Sequence, residues 1–166
     1  MACLGVHFAL SHDDVAALVA ASTDEDRLDL LHEMEEQYFE DRATHVAESD
    51  KAWDGMHRTL ADGLLSYDGG QYPLNHAVLG GTVLYYEDDY IMSLKSPQQV
   101  KDVAAAIAAM TEEDFKHRYL AIDAHQYDGE LNDEDFAYTW DWFQHVRNLF
   151  QLAAAEGLHV LFTADQ

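Results

Sequence analysis

Cations are scarce in this chain of 166 residues: nine Lys and Arg stand against 32 Asp and Glu, a formal charge of −23 with histidine neutral. Proteins that hold nucleic acid neutralise phosphates with clustered cations. Nine cations scattered from Arg27 to Arg147 form no such cluster, so nucleic acid is excluded as a partner. Anionic membrane surfaces repel the chain for the same reason. Cysteine is almost absent. Cys3 stands alone, which excludes an intramolecular disulfide and any cysteine-rich zinc centre. Proline is limited to Pro73 and Pro97. The longest wholly apolar run, Val103 to Met110, falls far short of a membrane span. Met1 to Leu10 carries no Lys or Arg and runs directly into a structured pattern, so no signal peptide and a cytoplasmic location are expected.

What is present suits a folded protein. Hydrophobic residues make up 48% of the chain, with three Trp, nine Tyr and seven Phe, enough apolar area for a core despite the charge. At this length one domain over residues 1–166 is expected, burying roughly 70% of the surface that the unfolded chain exposes.

Cys3 to Leu10 is short and apolar, as a buried strand requires, and Ser11 is placed to cap a helix carrying Val15, Leu18 and Val19. A second helix spans Asp24 to Glu40, with Leu28, Leu31, Met34 and Tyr38 on one side and an acidic opposite face. From Ser49 or Asp50 the spacing of Trp53, Met56, Leu60 and Leu64 predicts a third, and Tyr67 to Pro73 reads as a loop. Thr82 to Tyr86 and Tyr90 to Leu94 flank a polar turn, as a hairpin does. Ser96-Pro97-Gln98-Gln99 is a capping-box helix start, and Thr111 with Asp114 starts another helix. A long helix from Asp133 to Glu156 stops at Gly157, before a closing strand over Leu158 to Thr163. Strands at both ends and a central hairpin, with helices between, predict an α+β domain with a small mixed sheet covered by helices.

One segment carries a resemblance. Asp50-Lys51-Ala52-Trp53-Asp54-Gly55-Met56-His57, followed by Leu60, Gly63 and Ala77-Val78-Leu79-Gly80-Gly81, resembles the YfbM-like family of uncharacterised bacterial proteins. Ser96-Pro97 with Val100, and the late aromatic helix before a final strand, are similar to that family as well. The resemblance implies a small cytoplasmic α+β domain. It implies no substrate, and it carries over no catalytic residue.

Several constellations could carry chemistry. On one helix, Asp50, Asp54 and His57 occupy adjacent positions beside the stripe of Trp53, Met56 and Leu60, with Lys51 and Arg58 on the more exposed side. Carboxylates bracketing an imidazole at an apolar edge raise its pKa and suit a general base. The plainer reading has Asp50 capping the helix, Asp54 paired with Arg58, and His57 packed inside. Arg147 lies at the margin of the aromatic stripe of the last helix, near Trp140, where an arginine can clamp a ligand carboxylate or phosphate or simply pair within the protein. The width of that aromatic arc fits a central helix or a homodimer contact. Asp128 to Thr139 fails the calcium-loop template, and His32-Glu33 lacks the second histidine of a zinc protease motif. No metal site and no cofactor are expected.

Three functions compete. The first is a binding or regulatory module whose acidic surface recognises a basic protein partner. The second is a small hydrolase or transferase with a pocket between the Asp50 helix and the sheet, using His57, Asp54 and Arg147; whether the chain is an enzyme is open. The third treats twenty Asp against four Lys as solvation at high salt. Protonating all ten histidines would move the charge from −23 to −13, and nearby carboxylates are expected to raise their pKa values.

Overall fold

A computed structural model describes residues 3–166, so the first two residues of Met1 to Leu10 lie outside the described part. The chain runs β1 (Gly5–Leu10), α1 (His12–Ala20), α2 (Asp24–Asp41), β2 (Val46–Asp50), α3 (Trp53–Leu60), β3 (Thr82–Val83), β4 (Tyr90–Lys95), α4 (Pro97–Ala108), α5 (Glu112–Tyr119), α6 (Asp133–Glu156) and β5 (His159–Asp165). The α+β class is as expected. The strands form one sheet in the order β2-β1-β5-β4-β3. A mixed sheet was expected, but every neighbouring pair is antiparallel: β3 and β4 are joined by a turn, and the helical excursions from β1 to β2 and from β4 to β5 each return the chain in the opposite direction.

Alternation along the strands builds two cores. Phe8, Leu10, Met92, Leu94 and Leu161 face one side, where Val15 and Leu18 of α1 and Leu31, Met34 and Tyr38 of α2 cover them. Ala9, Ile91, Val160, Phe162 and Ala164 face the other, under α3, α4, α5 and α6. Complete burial of such a Phe or Leu side chain contributes about 1.5–3 kcal/mol relative to exposure. Among the described residues no helix is long and apolar enough to cross a membrane.

The helix starts agree with their sequence signals. Ser11 Oγ accepts from the Asp14 N–H at 3.2 Å, and Ser96 and Thr111 each close a capping box, with Gln99 and Asp114. Gly157 ends α6 at φ 68°, where a side chain would be strained. One strand departs from expectation. Residues 46–50 form β2, an edge strand, where Ser49 or Asp50 was expected to open a helix. The alternation of half-buried Val46, buried Ala47, exposed Glu48 and buried Ser49 is strand-like, but its small and polar residues carry little hydrophobic signal. Consequently α3 begins only at Trp53, and Leu64 lies beyond it, exposed.

Between Pro73 and Thr82 the chain makes only a short 3-10 turn at Leu74–His76, yet Ala77, Val78 and Leu79 are at most 3% exposed. Irregular backbone in a core must find its hydrogen bonds in side chains. His7 Nε2 donates to the Ala77 carbonyl at 2.8 Å. Lys95 Nζ donates to the Val78 carbonyl, and also to the Ser93 carbonyl and hydroxyl at 3.1 and 3.2 Å. Ser93 Oγ donates to the Leu79 carbonyl at 2.7 Å. The Leu79 N–H donates to His57 Nδ1 at 3.4 Å, which leaves the ring proton on Nε2, donated to the Ser66 carbonyl at 2.8 Å.

These polar groups titrate differently from the sequence expectation. Burial, together with the Lys95 charge, pushes His7 down to about 3. Burial pushes His57 down to about 4, although the Ser66 carbonyl favours its protonated form. His76 and His159 are lowered too, again chiefly by burial. Burial therefore outweighs any carboxylate at these four.

The unfolded chain takes up protons at His7 and His57 below about pH 6.5, whereas the native state refuses them until about pH 3 and 4. The contribution of these two rings is therefore complete above about pH 6.5 and is lost as the pH falls, at about 1.4 kcal/mol per pH unit for each ring. Urea unfolding between pH 6.5 and 4.5 should show this slope, and His57→Gln, which keeps a donor for Ser66, should remove about half of the histidine contribution. An unchanged slope in His57→Gln would show that the ring is not held neutral.

Candidate functional site

The residues around the β2–α3 turn form one wall of a cleft of about 490 Å³. Its geometry starts at Asp50, the last residue of β2, which adopts φ 48°. That left-handed step turns the chain out of the sheet, and Tyr138 of α6 anchors it. Tyr138 Oη donates to Asp50 Oδ2 at 2.7 Å and accepts from the Lys51 N–H at 3.2 Å. Burial and the bond to Asp50 push the Tyr138 phenol up to about 12, so it remains a donor at neutral pH. Lys51 emerges exposed and makes no ion pair among the described residues. Trp53 turns inward, and its indole N–H donates to the Cys3 carbonyl at 2.9 Å. Its ring lies so close to β1 that a Cβ at Gly5 would stand 2.7 Å from it.

Asp54 and Tyr127 continue the wall. Asp54 Oδ1 accepts from Arg58 Nε at 2.5 Å, one turn along α3. The Arg58 guanidinium lies over the Tyr127 ring, 5.6 Å from its centre, and its Nη1 is buried without a partner. Two glycines make room for Tyr127. A Cβ at Gly55 would meet the phenol oxygen at 2.6 Å, and one at Gly129 would meet the ring at 2.3 Å. Tyr127 donates to Asp135 at 3.0 Å, and Tyr119 donates to the same carboxylate oxygen at 2.5 Å. Burial and then Asp135 hold both phenols well above their ordinary range. Asp128, exposed at the rim, makes no ion pair among the described residues.

Of the residues singled out from the sequence, Lys51, Trp53 and Asp54 line this cleft, and Asp50 supports it from behind. Asp50 does not cap α3, whose first residue follows Ala52 without a side-chain cap. His57, Trp140 and Arg147 are not brought in. His57 is fully buried with both ring nitrogens hydrogen-bonded, because α3 is covered on almost every side rather than along one stripe. Arg147 stacks on Trp140 and Phe143, 5.6 and 5.7 Å from their ring centres, and donates to the Ala108 carbonyl at 3.0 Å. It follows Asp135 by twelve residues of α6, about 18 Å along a helix. The expected pocket joining His57, Asp54 and Arg147 is therefore absent.

Tyr127, Asp128 and Asp135 belong to the cleft without having been singled out as a binding group. Gly55 within α3 is the trace they leave in the sequence, since a glycine inside a helix calls for a close neighbour. A second hollow, of about 550 Å³ between α4 and α5, contains none of the sequence candidates.

Fold and site together define a small α+β protein with an antiparallel sheet between two helical layers and an acidic, aromatic cleft at the start of α3. The family model described as a domain of unknown function (DUF1877) matches residues 1–163, and the chain belongs to that family. Its fold is similar to that of YfbM from Escherichia coli, a protein of unknown function, with a TM-score of 0.65 and 19% identity over 97% of this chain and 99% of that one. No curated protein matches.

Replacing Gly55 by Ala tests how Tyr127 is held. The methyl group gains about 0.8–1 kcal/mol of helix propensity, while displacing the phenol from Asp135. Net stability should change by less than about 1 kcal/mol, with a clear change in the near-ultraviolet circular dichroism and the Tyr127 ring resonances. Unaltered Tyr127 signals would show that the ring does not depend on the glycine.

Proposed function

We propose that this protein is a binding or regulatory module that recognises a basic partner, and that the cleft beside the β2–α3 turn receives one of the partner's cationic side chains. The observation that carries this reading is the Asp128 carboxylate, without an ion pair among the described residues, at the rim of a cleft walled by Trp53 and Tyr127. A lysine or arginine side chain has matching parts: an aliphatic stem for Leu65 and the aromatic rings, and a charged head for carboxylates and ring faces. The field of a chain with charge −23 steers such a partner towards the surface and makes its association sensitive to salt. A cytoplasmic setting is in keeping with the single cysteine.

The hydrolase or transferase reading gains no support from the geometry, since His57 is committed to the core and Arg147 to α4. A homodimer through the aromatic arc of α6 gains none either. Phe136, Phe143 and Phe150 are buried within the chain.

A defined peptide tests the proposal. A lysine-rich octapeptide with blocked ends should bind at 50 mM NaCl with a change in tryptophan fluorescence and weaken at least tenfold at 300 mM, whereas a neutral peptide of the same length should not bind. Asp128→Asn should weaken binding by roughly 1 kcal/mol, in the range of a partly exposed charge pair. Asp26→Asn, on the far acidic face of α2, should leave it unchanged. Equal effects of the two substitutions would assign the attraction to overall charge and remove the cleft from the reading.

A further inference from the structure

A second group of side chains lies apart from the cleft, where β1 passes into α1 and β5 begins. Leu10 of β1 pairs with His159, the first residue of β5, and His12 is the first residue of α1. The turn at Ser11 folds the His12 ring against that of His159. Nε2 of His159 and Nδ1 of His12 are 3.1 Å apart, with the ring centres 4.9 Å apart and the planes at 85°. In this contact one ring proton is shared between two nitrogens.

We propose that His12 and His159 chelate a divalent transition metal ion that favours imidazole, Cu²⁺ or Zn²⁺. Two nitrogens bound at 2.0–2.1 Å to one tetrahedral ion stand about 3.3 Å apart, and at a square-planar angle about 2.9 Å apart. The observed 3.1 Å lies between these values, so an ion can replace the shared proton with the separation of the two nitrogens changing by a few tenths of an ångström while the rings turn to face it. The rings meet edge to face, with one nitrogen of each at the contact. Burial and the neighbouring His12 lower the His159 pKa, so at neutral pH no extra proton has to be expelled from it.

Proton balance follows from the two rings. The proton between the rings moves to Nε2 of the exposed His12 ring as the metal takes Nδ1. His159 keeps its own proton on Nδ1, which is buried beside the Lys95 main chain. Among the described residues no three His, Cys, Asp or Glu gather around one metal position. The protein therefore supplies two ligands and water completes the shell, leaving open coordination positions. The charge of −23 concentrates cations at the surface and strengthens a site of only two ligands.

Titration of the full chain with CuCl₂, followed by calorimetry and by electron paramagnetic resonance, tests the site. One equivalent should bind with nitrogen hyperfine structure, and ZnCl₂ should bind the same site more weakly, following the usual affinity order. His12→Gln and His159→Gln should each weaken the first equivalent at least tenfold, while His125→Gln, on an exposed loop, should not. His12 is exposed, so His12→Gln should keep the wild-type thermal midpoint and remain informative if His159→Gln misfolds. First-equivalent binding in His12→Gln as tight as in wild type, or only weak binding without a defined stoichiometry, would overturn the proposal.

Discussion

Everything on the helix-rich side of the sheet is arranged around a stretch of irregular backbone, Ala77 to Gly80, that runs through the interior. Buried amides and carbonyls without a partner cost about 1–3 kcal/mol each. A segment outside any helix or strand can escape that cost only if side chains reach it. His7 from β1, Ser93 and Lys95 from β4, and His57 from α3 all do so. This requirement explains the polar residues on a sheet face that otherwise buries Ala9, Ile91 and Phe162. It also ties three separate elements to one loop, and so fixes where α3 lies against the sheet. Gly81, at φ 137°, has the Leu94 carbonyl where a Cβ would stand, so the segment can leave the core and join β3 without a clash.

Placement of α3 in turn positions the cleft. Since the buried side of α3 is occupied by His57, Met56 and Leu60, its Asp54 side faces the loop that carries Tyr127 and the first turn of α6. Asp135 there accepts from two phenols, and Asp50 from a third. Neutral tyrosines thus absorb carboxylates that arginines would pair with in a less acidic protein. Arg58 is the one guanidinium in this network, and its pairing with Asp54 leaves Asp128 as the carboxylate open to solvent at the rim.

Much of the architecture was legible because local signals suffice for it. Ser96, Pro97 and Gln99 name a helix start whatever surrounds them, and Gly157 names a helix end. The apolar run Gly5 to Leu10 and the aromatic periodicity of Asp133 to Glu156 behaved as their patterns indicated. β2 was not legible, since Val-Ala-Glu-Ser-Asp acquires its strand character by pairing with β1. In the cleft, Lys51, Trp53 and Asp54 were visible as a cluster in sequence, whereas Tyr127, Asp135 and Tyr138 lie more than seventy residues away along the chain. For His57 the plainer of the two sequence readings, a ring packed inside, is the one the structure adopts, and what periodicity could not show is that α3 has nearly all of its faces covered.

By itself the sequence determined the α+β class, most helix boundaries and the strong negative charge. Each of these follows from composition or from contacts within a few residues, where capping, periodicity and net charge act. Tertiary structure alone decided the strand order, the burial of His7 and Lys95, the separation of Arg147 from Asp54, and the meeting of His12 with His159. Those depend on which distant segments exclude water together, and an antiparallel sheet closing β5 against β1 makes that choice across the whole length of the chain.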